Sequence, residues 1–185
     1  MNRRQRRRRT QIRKLLLVGP PVLLGVLWLA GFALPDVHRE EVHMFLPSTA
    51  ETVWAVLTDL DGMPDWRRDL AGLERLPDGD TGVRWREVGA RGRATAFEWV
   101  ESAAPSRLVV REVGPATNER RWVYRIRRAD RGVEVTVVEE RRISNPLWRS
   151  ITGLLGGDRG RIDGLARDLG HRLNVRRQLA ADLKR

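Results

Sequence analysis

Between Gly82 and Ile143 apolar and charged residues alternate with a period of two, and no other feature constrains the fold as strongly. Val83 and Trp85, then Phe97 and Trp99, then Trp122, Tyr124 and Ile126, and then Val133, Val135 and Val137 fall on one side of their segments. The opposite positions are largely charged: Arg84, Arg86, Glu98, Arg121, Arg125, Arg127 and Glu134. Successive side chains of a strand point to opposite faces, so this alternation demands a sheet with one covered face and one wet face. Pro77–Asp80, Ala104–Ser106, Gly114–Pro115 and Ala129–Gly132 supply turn chemistry at short spacing. Ala71–Leu76, Gly82–Val88, Ala94–Glu101, Arg107–Val113, Arg120–Arg127 and Val133–Ile143 are therefore predicted to form an antiparallel meander.

Helical signals lie on either side of the strands. A first strand is predicted over Asp36–Leu46, ended by Pro47. Ser48-Thr49-Ala50-Glu51 then matches a capping box, in which the Ser48 hydroxyl accepts from the Glu51 amide. Val53, Trp54, Val56, Leu57 and Leu60 recur at helical spacing, which predicts a helix over Ala50–Thr58. Asp65–Leu70 reads as a second, short helix carrying Trp66. Near the C-terminus Leu147, Ile151, Leu154, Leu155, Ile162, Leu165, Leu169 and Leu173 form one apolar stripe, broken at Gly156-Gly157 and suited to covering the aromatic face. Arg161, Arg167, Asp168, Arg172 and Arg176 are assigned to its solvated side.

The formal charge of +11 is concentrated at one end. Eight basic residues and no acidic ones lie between Met1 and Lys14; removing those eight from the 35 leaves 27 basic against 24 acidic residues. The charge is thus a tail and not a groove on a fold, so nucleic acid is not an expected partner. Leu15–Leu34 follows without a charge, and about twenty apolar residues suffice to span a bilayer. The positive-inside rule then puts the N-terminus in the cytoplasm and everything from Pro35 outside it. Gly19, Pro20 and Pro21 are expected to kink this helix. A cleaved signal peptide is the rival reading, because Gly31 and Ala33 have the −3 and −1 spacing of a cleavage site, and the arginines also permit a twin-arginine signal. The apolar run exceeds the usual signal length, which favours the anchor. The expected organisation is a basic tail (1–14), a transmembrane anchor (15–34) and one domain (36–185).

Chemistry is sparse. The absence of cysteine excludes disulfides, thiol nucleophiles and cysteine-ligated metals. His38 and His43 are five residues apart and therefore on opposite faces of a strand. No HExxH, GxSxG, GxGxxG or P-loop pattern occurs, so no metal, cofactor or catalytic residue is assigned. The candidate ligand-binding set is Trp85, Glu87, Phe97, Trp99, Trp122 and Tyr124, which share the aromatic face; the same rings would serve equally as core. A carboxyl alone in an apolar cavity has a raised pKa and suits acid–base work. The simpler reading sets Glu87 beyond the covered part of its strand, paired with an arginine at the cavity mouth.

The run Pro47-Ser48-Thr49-Ala50-Glu51-Thr52-Val53-Trp54-Ala55-Val56-Leu57-Thr58-Asp59, with Pro64-Asp65-Trp66 and Asn145-Pro146-Leu147-Trp148, resembles the SRPBCC (START-like) superfamily in its polyketide cyclase/dehydrase and lipid-transport branch. The resemblance covers Val37–Leu183. It implies an α+β helix-grip fold, a curved antiparallel sheet wrapped on a long C-terminal helix, here preceded by one transmembrane helix. It also implies an apolar cavity, and with it the membrane-tethered, non-catalytic binding or transport of a hydrophobic small molecule or lipid. A polyketide cyclase or aromatase is the enzymatic alternative, and would need Glu87, Tyr124 or a buried arginine such as Arg111 aimed into an open pocket. A third reading is a structural or adaptor protein of the envelope, favoured by a filled cavity and an exposed apolar patch. The oligomeric state stays open.

Overall fold

The alternating segments become strands because each places its apolar side chains against helices and its charged ones outward. The computed structural model describes residues 19–114, 118–155 and 159–182. They fall into two compact units. The larger holds β1 (Val37–Leu46), α2 (Ala50–Thr58), a 3-10 turn (Met63–Asp65), β2 (Leu70–Leu76), β3 (Arg84–Gly89), β4 (Ala94–Ala103), β5 (Arg107–Val113), β6 (Asn118–Ala129), β7 (Gly132–Ile143) and α4 (Arg159–Asp182).

The strands form one seven-stranded antiparallel sheet in the order β1-β7-β6-β5-β4-β3-β2. From β2 to β6 it is the expected meander. Register sets Trp85 opposite Phe97, Trp99 opposite Val110, and Val110 opposite Trp122, so large apolar groups run in rows across one face. That face is covered by α2, through Val53, Val56 and Leu57, and by α4, through Ile162, Leu169 and Leu173. The β3–β4 hairpin closes with Gly92 at φ +78°, a conformation that suits glycine.

Several local expectations need correction. Thr49, not Ser48, caps α2: its Oγ1 accepts from the Thr52 amide at 3.2 Å, and Glu51 turns outward to Arg128 at 2.8 Å. No helix forms over Asp65–Leu70. Met63–Asp65 form a single 3-10 turn with Pro64 inside it, and Arg67 then folds onto Asp69, an i,i+2 pair that a helix would separate. The outer face of the sheet is not uniformly wet. Val109, Val123 and Val138 form a small buried cluster there. Glu98, expected in solvent, is buried beneath Arg84 and Arg111 and takes a bond from Thr81 Oγ1 at 3.0 Å.

The smaller unit contains α1 (residues 19–33) and α3 (Pro146–Leu155). Asn145 caps α3 by accepting from the Leu147 amide at 2.9 Å. Ser150 Oγ donates to the Leu27 carbonyl at 2.6 Å, and Arg149 Nη1 donates to the carbonyls of Gly31 and Leu34 at 3.2 and 3.1 Å. Arg149 thereby satisfies acceptors that the end of a helix leaves open. Gly31 permits this approach, since a Cβ there would overlap the Pro146 carbonyl. Leu147 and Ile151 belong to this unit, so the expected single stripe is divided; the Gly156-Gly157 break lies outside the described residues. Among the described residues no helix is long and apolar enough to cross a membrane. The start of the expected anchor, Leu15–Val18, the basic tail and any kink at their junction with Gly19 lie outside the described residues.

Candidate functional site

The aromatic rows enclose a chamber between sheet and helices. Trp85 stacks on Phe97 with centroids 5.8 Å apart, Trp85 meets Trp99 edge-on at 6.2 Å, and Phe97 meets Trp122 edge-on at 5.5 Å. Leu57 and Met63 close one side, and Ile162 and Leu165 of α4 the other. The space left is a cavity of about 40 Å³, room for about three waters and far below the roughly 300–1,000 Å³ of a pocket for a drug-sized ligand. All six residues singled out on the aromatic face line it: Trp85, Glu87, Phe97, Trp99, Trp122 and Tyr124.

Glu87 is not beyond the covered part of its strand but buried. It accepts from Arg67 Nη1 at 2.7 Å and from the Trp85 indole at 3.2 Å. The premise of a lone carboxyl in an apolar cavity therefore fails. Arg67 also forks onto Asp69, through Nε at 3.1 Å and Nη2 at 2.8 Å. Burial works against the Arg67 charge, but Glu87 and Asp69 outweigh it and hold the guanidinium above its usual range. Burial likewise opposes the Asp69 charge, yet Arg67 wins and keeps that carboxyl below its usual range. Burial pushes the Tyr124 phenol up.

A second polar group surrounds Trp122. Arg120 and Arg161 place guanidinium carbons 5.9 and 5.5 Å from its ring centroid. Arg120 faces Glu139 at 3.2 Å and Glu112 at 3.9 Å. Burial depresses the Arg120 pKa and raises that of Glu139. Arg161 and Asp168, expected on the solvated side of α4, are not there: Arg161 lines the chamber, and buried Asp168 accepts from the Arg68 amide at 3.0 Å. Both flank the apolar stripe closely enough to be covered with it. Arg111 faces away, onto Glu98. Two arginines stand in the chamber wall, Arg161 and Arg67, and the period-two pattern missed Arg67 because it lies in a turn.

Residues 39–183 match the polyketide cyclase / dehydrase and lipid transport family. The chain belongs to this family. Solved structures agree in fold. The di-domain ARO/CYC StfQ of the steffimycin biosynthetic pathway aligns with TM-score 0.62 and 12% identity over 77% of this chain and 52% of that one, so this chain spans about half of StfQ. Norcoclaurine synthase from Thalictrum flavum, solved with dopamine and hydroxybenzaldehyde, aligns with TM-score 0.58 and 11% identity over 73% and 85%. A Thermus thermophilus protein aligns with TM-score 0.57 and 17% identity over 75% and 98%. At these identities the likeness concerns the fold. No curated protein matches the chain in sequence.

Proposed function

We propose that this family member binds a small hydrophobic molecule, with the apolar part of the ligand in the aromatic chamber. The observation that carries this reading is the chamber itself: four large rings line an internal space whose charged wall groups are Arg67, Glu87 and Arg161. Its small volume argues against an acyl chain lying inside. A ligand of ring size enters by displacing a flexible wall side chain, for which Met63 and Leu165 are suited.

A cyclase or aromatase would require Glu87 or Tyr124 to move a proton. Glu87 already accepts from two donors, and the Tyr124 phenol is pushed away from neutral pH, so the geometry favours binding over proton transfer. We also propose that the binding domain is tethered to a membrane. On α1, Leu23, Leu29 and Phe32 are about 60% exposed (60%, 65% and 58%), with Val22, Val26 and Trp28 exposed between them. A helix apolar all round and bare in water needs a cover, and the uncharged residues and basic tail before it make a bilayer the fitting one.

The binding test uses the full chain in detergent, with empty micelles subtracted. Phenylnaphthylamine, a neutral fluorescent dye, is expected to saturate at one per chain. Val110→Trp, which fills the chamber, is expected to abolish that binding while circular dichroism is unchanged. Absence of saturable binding, or equal binding by the filled variant, refutes the proposal.

A further inference from the structure

The chamber opens beside a second, larger space. An open basin of about 460 Å³ lies against it, and Glu87 and Arg161 line both. The basin is more polar than the chamber: Asp69, Glu112, Arg91, Arg93 and Arg120 contribute to its wall. Asp69 and Glu139 act on Arg161 through space, but the nearby carboxylates make their close pairs with other arginines. Asp69 and Glu87 are both taken by Arg67, at 2.8 and 2.7 Å. Glu112 and Glu139 face Arg120. Among the described residues this leaves Arg91, Arg93 and Arg161 with no carboxylate within ion-pairing distance. Arg91 and Arg93 are exposed at the rim. Arg161 is the inner one, half-buried, with its guanidinium over the Trp122 ring.

The Arg161 guanidinium carbon lies 5.5 Å from the Trp122 ring centroid, within cation–π range, and among the described residues its N–H donors make no side-chain hydrogen bond. The planar fork of guanidinium donors fits an oxyanion, which it binds through two parallel charge-assisted bonds. From these positions we propose that Arg161 is the anion subsite of the ligand site. The ligand is then a compact acid: an apolar, ring-sized body directed into the chamber and a carboxylate, sulfonate or phosphate on Arg161 in the basin. The rim arginines add a positive field that draws such a molecule to the mouth. This inference rests on the binding reading above and adds the chemical class of the ligand.

Two dyes of nearly the same shape test it. Phenylnaphthylamine is neutral; anilinonaphthalene sulfonate carries one sulfonate on the same ring system. Both are titrated into the full-length protein in one detergent, with empty micelles subtracted, for the native chain, Arg161→Met and Arg161→Lys. The native protein is expected to bind the sulfonate about tenfold or more tighter than the neutral dye, the range of a charge-assisted bond pair. Arg161→Met is expected to lose that preference, its sulfonate affinity falling to that of the neutral dye on the same variant, and Arg161→Lys to keep part of it. Equal affinity of the native protein for both dyes overturns the anion subsite and leaves the hydrophobic-binding reading standing. So does an Arg161→Met variant that keeps the preference, or an Arg161→Lys variant that weakens both dyes alike with its fold intact. If neither dye binds the native protein, the binding reading falls and this inference falls with it.

Discussion

Replacing Glu87 tests whether the chamber wall is held as described. Glu87→Leu leaves Arg67, whose side chain is 10% exposed, with Asp69 alone, and leaves the Trp85 indole N–H without its acceptor. Removing one partner of a buried ion pair costs about 3–5 kcal/mol, and an orphaned buried donor about 1–3 kcal/mol. Asp69 keeps its bidentate hold on Arg67 and is 46% exposed, so it retains hydration and part of the pairing. The lower end, about 3 kcal/mol, is therefore expected for Glu87→Leu. Glu87→Gln keeps a carbonyl acceptor and loses only the charge, which corresponds to about 1–2 kcal/mol. For a domain of this size these losses lower Tm by about 2–4 °C per kcal/mol, readable by near-ultraviolet circular dichroism from the tryptophans. The double variant Arg67→Met with Glu87→Leu removes both charges and should lose less than the two single losses together. A Glu87→Leu loss under about 1 kcal/mol, or strict additivity in the double variant, would refute the buried pair.

Other expectations follow from single contacts. Thr49→Ala should cost about 0.5–2 kcal/mol as loss of an N-cap, whereas Ser48→Ala should stay within about 0.5 kcal/mol; equal effects would restore Ser48 as the cap. Gly31→Val places a Cβ against the Pro146 carbonyl, so hydrogen exchange at the C-terminal end of α1 should accelerate, and unchanged protection would contradict the α1–α3 packing. Asp69 and Glu98 are held below their usual 3.8 and 4.5 by their arginines. Their stabilisation is present above pH 4.5 and lost as pH falls through the depressed values. Glu98→Gln should flatten that acid limb, and a limb as steep as the native one would count against the cluster. Glu139 has the opposite sign, because burial raises it; a carboxyl NMR titration should find its midpoint above 4.5, and a midpoint at or below 4.5 would contradict its burial.

Much of this was legible in the residue pattern, for a physical reason. A strand has a period of two and a sheet has two faces, so Trp85, Phe97, Trp99, Trp122 and Tyr124 could be placed on one wall from spacing alone. The α2 boundaries followed from the spacing of Val53, Val56 and Leu57, although the cap shifted by one residue because Ser48 and Thr49 are chemically equivalent candidates. Periodicity says nothing about turns, and Arg67 lies in one; its meeting with Glu87 twenty residues on depends on tertiary packing. Nor does periodicity fix how wide a helix's covered stripe is, so Arg161 and Asp168, at its edge, were assigned to solvent. Glu98 shows the same limit on the outer face, where Arg84, Arg111 and Thr81 fold over it. The transmembrane expectation rests on residues that begin before Gly19.

The central claim is that the aromatic chamber receives a small hydrophobic molecule. Native mass spectrometry of the full chain, followed by organic extraction, addresses that claim most directly. A stoichiometric small molecule on the native protein, absent from Val110→Trp, is the predicted result. A bare mass for both proteins, unchanged after incubation with ring-sized hydrophobic compounds, would contradict it.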